Sequence, residues 1–306
     1  MNFDVLVPIL AATIQSGTPI LYATLGEIFT ERSGVLNLGV EGMMLVGALA
    51  AFLTAKLSGQ PLLGFFAGGL FGALLAAVHG IVCLGFQGNQ VVSGLALTIL
   101  GTGIANYFGS PFDGQSVVGF HAYPVPLLAG IPLLGPVFFQ QDALVYLSYA
   151  LPLLLWLYLN FSRWGLSLRA VGENPEAAIA AGLPIVGYRW LGVLVGGALV
   201  GFGGAYLSIA YTHLWSNGIS AGRGWIAVAL VIFAFWRPWR ATLGAYLFGG
   251  VVAFQFRLQA SGAHLPSSLL MMLPYLLTIA VLLFSSWKGR GIGAPAALGI
   301  NVEPPD

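Results

Sequence analysis

Long apolar runs, interrupted by a few polar residues each, organise this chain. Nine runs reach or approach the length of a membrane-crossing helix: 5–26, 33–55, 62–85, 91–108, 143–161, 187–211, 224–236, 241–257 and 265–286. A helix needs about 20 apolar residues to cross the hydrocarbon core, because each residue rises only about 1.5 Å. The runs lack the apolar–polar alternation of a membrane β-barrel. The pattern therefore predicts an all-α integral membrane protein with about nine transmembrane helices. The seventh run is short enough to be a broken or re-entrant element. Residues 109–142 carry Pro111, Pro124, Pro126, Pro132 and Pro136, too many helix breakers for a span, and are expected to pack over one mouth of the bundle. Asp4 is the only charge near the start. A signal peptide opens on basic residues, so the first run reads as a retained span.

Composition makes lipid the necessary solvent. Only 21 of 306 residues are Asp, Glu, Lys or Arg, and mean hydropathy is +0.89. A soluble domain carries roughly 25% charged residues, so this chain cannot cover a globular surface with polar groups. The net charge of +1 argues against nucleic acid as a partner. Cys83 stands alone, which excludes an internal disulfide, and His79, His121, His213 and His264 are too scattered for a metal site. The 43 glycines read as close helix packing, with Gly192/Gly196 and Gly197/Gly201 forming G-x-x-x-G pairs in the sixth run.

The basic residues set the orientation. With the N-terminus outside, Arg32, Arg163, Arg169, Arg189, Arg237, Arg240, Lys288 and Arg290 fall in the cytoplasm, and only Lys56, Arg223 and Arg257 fall outside. Residues 109–142 are then extracytoplasmic and residues 162–186 cytoplasmic. A shift of 180 residues aligns Leu63-Gly64 with Leu243-Gly244, Gly69 with Gly249 and Ala73 with Ala253. The first four and last four runs are offset by five, an odd number, so the chain is expected to hold two weakly similar inverted halves, a common transporter design.

One cytoplasmic stretch, "RAVGENPEAAIAAGLPIVGYRW" (169–190), is polar and has its own helix signals. Asn174 suits an N-cap, Pro175 the first helical position, and Glu176 the positive end of the dipole. Gly182 and Pro184 then stop a helix of about eight residues, too short to be stable alone. It is expected either to rest on the membrane surface or to seat its small alanines in a groove on another protein. Neither Lys56 nor Lys288 lies in a phosphate-binding G-x-x-x-x-G-K-[ST] loop. Active transport would draw on an ion gradient or on a separate ATPase, and a docking helix favours the ATPase.

Four segments then carry a resemblance: "LGEIFTERSGVLNLGVEGMMLVGALAA" (25–51), "NQVVSGLALTILGTGIANYF" (89–108), "GLSLRAVGENPEAAIAAGLP" (165–184) and "GRGWIAVALVIFAFWRPWRATLGAYLFG" (222–249). Together they are similar to the permease subunits of bacterial ABC importers of the ribose/simple-sugar type, nearest to the nucleoside branch. The resemblance covers about 25–286, within a single permease domain spanning 1–306. It implies a second permease subunit (a copy or a paralogue), a cytoplasmic ATPase that alone holds ATP and Mg, and an extracytoplasmic binding protein. It also implies that Glu173, Asn174, Pro175, Glu176, Ala177, Ala178, Ala181 and Gly182 form the segment that couples to the ATPase. The chain itself would hold no cofactor or metal, catalyse no covalent chemistry, and reside in the cell membrane. Thr98 departs from the asparagine common in relatives, which puts a nucleoside preference in doubt.

Polar residues inside the runs are candidates for the translocation path. Glu41, about eight residues into the second run, is an expensive group at that depth and is expected to face a cavity or a partner helix. Asn37, one turn earlier, would share its face. Asn89, Gln90 and Ser93 open the fourth run; Thr98 and Asn106 lie further along it. Capping and helix–helix bonding remain the simpler alternatives for Asn89, Gln90, Ser93 and Asn106. Trp225, Trp236 and Trp239 read as interfacial aromatics, and Arg223 as a residue snorkelling to the outer surface or pairing with a binding protein. The alternative to an ABC importer is a stand-alone ion-coupled transporter, for which Glu41 is the only carboxylate the nine runs offer.

Overall fold

The apolar runs fold as helices joined mostly by short turns. The computed structural model describes residues 3–260, 266, 269–270, 272–287 and 293–302. Lys288, Arg290 and His264 lie outside the described residues. In chain order the helices are α1 (Phe3–Arg32), α2 (Val40–Ser58), α3 (Pro61–Gly80, continued by a wider turn, Ile81–Gly85), α4 (Gln90–Gly109) and the short α5 (Leu134–Phe138). Then come α6 (Ala143–Phe161), α7 (Arg163–Glu173), α8 (Pro175–Ala180), α9 (Ile185–Tyr206, continued by a wider turn, Leu207–Tyr211), α10 (Arg223–Ala234), α11 (Pro238–Ala260) and α12 (Leu273–Trp287).

Among the described residues seven helices are long and apolar enough to cross a membrane: α1, α2, α3, α4, α6, α9 and α11 with their extensions. The expected nine is therefore approximate. α10 has 12 residues, about 18 Å, against a hydrocarbon core of about 30 Å. α12 has 15 residues. α1 also runs six residues past its expected end at 26, to Arg32.

Glycine sets how closely the central helices approach. α9 lies against α1, α2 and α3. A Cβ on Gly26 would sit 2.5 Å from the Gly196 carbonyl oxygen, and one on Gly47 2.6 Å from that of Gly201. Both G-x-x-x-G pairs of α9 are thus contact surfaces between helix backbones. Outward faces of α3, α4 and α6 expose Leu62, Phe66, Leu70, Ile99, Leu153 and Leu154, as a lipid-facing or subunit-facing surface requires.

The expected second span is not one helix. Residues 35–39 are not helical, running as an irregular segment that turns at Gly39, and α2 begins only at Val40. Gly34 lies beside Arg189, near the start of α9, whereas Met44 lies beside Gly204 on the same helix. That separation along α9 is about 22 Å. Residues 35–39 and the first turn of α2 together cover that distance into the bundle.

At the end of the bundle away from α7 and α8, residues 110–120 run along 207–217. Val117 donates to the His213 carbonyl (3.0 Å), Trp215 to that of Gln115 (3.0 Å), and Phe120 to that of Ile209 (2.8 Å). A two-residue antiparallel pair, β1 (Tyr123–Pro124) with β2 (Gln140–Gln141), closes the rest of the proline-rich loop.

Candidate functional site

The irregular segment 35–39 has no helical partners for its backbone, and in lipid an unpaired peptide group costs several kcal/mol. Polar side chains from three helices supply what is missing. Gln90 Oε1 accepts from Leu36 N (2.8 Å). His79 Nε2 meets the Leu36 carbonyl (3.0 Å) and His79 Nδ1 the Ser93 hydroxyl (2.9 Å). A carbonyl can only accept, so Nε2 carries the proton and Nδ1 accepts from Ser93. Glu27 Oε1 accepts from Asn37 N (3.2 Å), and Thr98 Oγ1 donates to the Leu38 carbonyl (2.9 Å). Asn37 Oδ1 accepts from Gly39 N (2.8 Å), bending the chain into α2.

Several expectations are corrected by this arrangement. Asn37 precedes the helix, so it does not share a helical face with Glu41; it is buried and bonds its own segment. Gln90, Ser93 and Thr98 come together around the irregular backbone. Asn89 stands apart as the exposed N-cap of α4, accepting from Val92 N (3.0 Å). Asn106, near the outer end of α4, keeps a buried Oδ1 with no hydrogen-bond partner.

Glu41 occupies the first turn of α2, where the first turn of α10 meets it. Its Oε1 accepts from Ser220 Oγ (2.5 Å) and Gly222 N (2.9 Å), and its Oε2 from Gly224 N (2.7 Å). Each helix N-terminus carries a partial positive charge and unpaired N–H groups. Two such ends facing one another repel; one carboxylate between them satisfies both. Glycine makes the approach feasible, since a Cβ on Gly224 would lie 2.5 Å from Glu41 Cα. Arg223 is buried in the same turn rather than at the outer surface. It donates to the Ser220 carbonyl (3.1 Å) and lies over the Tyr211 ring (5.8 Å). Tyr211, Arg223, Gln255, Gln259 and Tyr275 line a cavity of ≈ 430 Å³ beside it.

Sequence reasoning missed two carboxylates because it ended the first span at 26. Glu27 and Glu31 are buried in the last turns of α1. Glu31 accepts from the indole Nε1 of Trp236, so Trp236 is a buried donor rather than an interfacial aromatic. The i, i+4 pair in "EIFTE" was the available signal. Glu41 is thus one of four buried carboxylates among the described residues, with Glu27, Glu31 and Asp142, each accepting from a donor of its own chain.

The segment 162–186 holds two helices, α7 and α8, rather than one. Ser162 caps α7 at Gly165 N (2.9 Å), and Asn174 breaks it and caps α8 at Ala177 N (3.0 Å). Pro175 takes the first position. Gly182 adopts φ +75° and closes the end, with Gly182 N on the Ile179 carbonyl (2.8 Å) and Leu183 N on that of Ala178 (3.0 Å). Glu176, Ala177, Ala181 and Gly182 are exposed, whereas Ala178 is buried against the body. Ala178 therefore seats the helix and does not face a partner. Glu173, half exposed at the end of α7, pairs with Arg32 (3.5 Å), the one ion pair among the described residues, and accepts from Ala296 N (3.2 Å). Gly172 abuts the Arg32 and Gly34 backbone, so α7 ends against the foot of the irregular segment.

Comparison with known proteins adds one family match and four relatives. Residues 9–282 match the model of a family described as "Branched-chain amino acid transport system / permease component". The chain is 43% identical, over 95% of both chains, to a Haloferax volcanii protein whose name assigns it to the permease of a glucose ABC transporter. It is 36% identical to a nucleoside ABC transporter permease protein of Lactococcus lactis, over 96% of both chains, and 33% identical to a guanosine ABC transporter permease protein of Bacillus subtilis, over 95% of both. A second guanosine permease protein of Bacillus subtilis is 25% identical over 78% of this chain and 67% of its own length.

Proposed function

Because the chain belongs to this ABC transporter permease family, we propose that it is one of two permease subunits in an ATP-driven importer of simple sugars or nucleosides. The chain is a multi-pass membrane protein and a transport subunit. In the proposed cycle, a separate ATPase seats the exposed face of α8, and its closure on ATP moves that helix. The contacts of α7 with Arg32 and Gly34 pass the motion to the irregular segment, and the Glu41 junction passes it to α10. The path between the two permeases then switches sides, and an extracytoplasmic binding protein delivers the cargo.

The observation that carries this reading is α8 itself. It is capped at both ends, anchored by Ala178, and presents Glu176, Ala177, Ile179 and Ala180 outward. A helix this short gains little by folding for its own sake. Tyr211, Gln255, Gln259 and Tyr275 at the cavity suit a hydroxyl-rich, uncharged cargo. The relatives' names point to glucose on one side and nucleosides on the other. Two different guanosine permeases in one organism favour a paralogue, rather than a second copy, as the partner. Uptake by inside-out and right-side-out vesicles tests the energy source. Uptake is expected to require ATP and to survive collapse of the ion gradients; uptake that survives ATP depletion but dies with the gradient would overturn the reading.

A further inference from the structure

Arg169 belongs to the polar island, yet it is on α7 and turned away from the exposed face of α8. It lines a separate pocket of ≈ 240 Å³ with Arg32, Arg237, Asn160, Trp156 and Trp239. The pocket sits where the cytoplasmic ends of α1 and α6 meet the start of α11. Three guanidinium groups line it, and among the described residues Glu173 on Arg32 is the one carboxylate that forms an ion pair with any of them. Arg169 donates to Asn160 Oδ1 (2.8 Å), but its buried Nε has no hydrogen-bond partner. Such a group costs free energy unless something else satisfies it. Trp156 and Trp239 stand at the rim, 39% and 51% exposed, at the level where tryptophans mark the membrane interface.

We propose that this pocket binds the phosphate headgroup of an anionic phospholipid of the cytoplasmic leaflet. Excess positive charge, planar guanidinium donors that match phosphate oxygens, and an unsatisfied buried N–H define the ligand's chemistry. The interfacial tryptophans and the adjoining apolar surface of α6 define its source, since acyl chains leaving the pocket would lie along Leu153 and Leu157, both exposed. A basic pocket between membrane helices on the cytoplasmic side is a recognised setting for such headgroups. The lipid would hold α6, α7 and α11 together next to the Arg32–Glu173 contact.

The test uses the assembled transporter in nanodiscs of phosphatidylcholine doped with phosphatidylglycerol, with retained lipid counted by native mass spectrometry after delipidation. The wild type is expected to retain phosphatidylglycerol selectively. Arg169→Gln with Arg237→Gln should weaken retention by about fivefold per arginine, from roughly 1 kcal/mol each. Arg257→Gln, at the other end of α11, should leave it unchanged. Arg237→Gln alone, on an exposed turn, must also weaken retention and covers the case in which the double variant misfolds. Equal retention of the two lipids by the wild type, or undiminished retention by Arg237→Gln, would overturn the proposal. Inorganic phosphate added to phosphatidylcholine-only discs separates the sources: if it raises thermal stability as much as phosphatidylglycerol does, the pocket takes free phosphate and the lipid assignment is wrong.

Discussion

Glu41 Oε2 lies 2.7 Å from the backbone nitrogen of Gly224, joining the first turns of α2 and α10. One begins late because its chain arrives as an irregular segment; the other is simply short. A single carboxylate holds their positive ends together. This junction links the halves of the chain at the depth where transporters of inverted design commonly place their moving parts.

Substituting Glu41→Gln keeps the shape but replaces one acceptor oxygen by a donor. Either Gly222 N or Gly224 N then loses its partner in a buried site. The expected cost is about 1–3 kcal/mol, read as a lower thermal midpoint in detergent. An unchanged midpoint would mean that the carboxylate contributes nothing to the junction.

Gly224→Ala should be worse than most alanine substitutions. The added Cβ would meet Glu41 backbone atoms at 2.5 and 2.6 Å, and backbone cannot swing aside. Overpacking of this kind costs roughly 1–3 kcal/mol or more. Gly103→Ala, with nothing within 4 Å of its Cβ, is the control and should be tolerated.

Thr98 stands where the resemblance to the permease family leads one to expect asparagine. Its hydroxyl is committed to the Leu38 carbonyl (2.9 Å). Thr98→Val keeps the volume and removes the donor, with an expected loss of about 1 kcal/mol, whereas Thr98→Ser should restore stability. Substrate preference is the second readout. If Thr98→Val changes the ratio of sugar to nucleoside uptake without lowering stability, the residue acts on cargo rather than on the irregular segment.

Gly182→Ala tests the stop of α8. Nothing lies within 4 Å of the new Cβ, so the cost is that of φ +75° alone, about 1 kcal/mol. Hydrogen exchange at the amides of Gly182 and Leu183 should accelerate about fivefold. Unchanged exchange would show that the left-handed turn does not hold the helix end.

The spans were legible because a helix in lipid must be long and apolar, and hydropathy reports both. The break at 35–39 was not, because Val35, Leu36, Leu38 and Val40 keep the run apolar whether the backbone is helical or irregular. Its traces were indirect: Gly34 and Gly39 at its ends, Asn37 within it, and His79 and Gln90 far along the chain. Sequence order does not say that these meet. The start and stop of α8 were legible because capping is local chemistry, read from Asn174, Pro175 and Gly182. Which side of α8 faces the body was not, since Ala177 and Ala178 are the same letter. Their difference, one exposed and one buried, arises only when α7 and α9 pack beneath them.

That difference also gives the most direct test of the central claim, that a separate ATPase drives this permease through α8. Ala177→Trp places bulk on the exposed face without touching the body, and Glu176→Arg inverts the charge beside it. In proteoliposomes holding the full complex, both are expected to abolish substrate-stimulated ATP hydrolysis and uptake while leaving the thermal midpoint of the permease unchanged. Stimulated hydrolysis and uptake at wild-type rates in both variants would contradict the account.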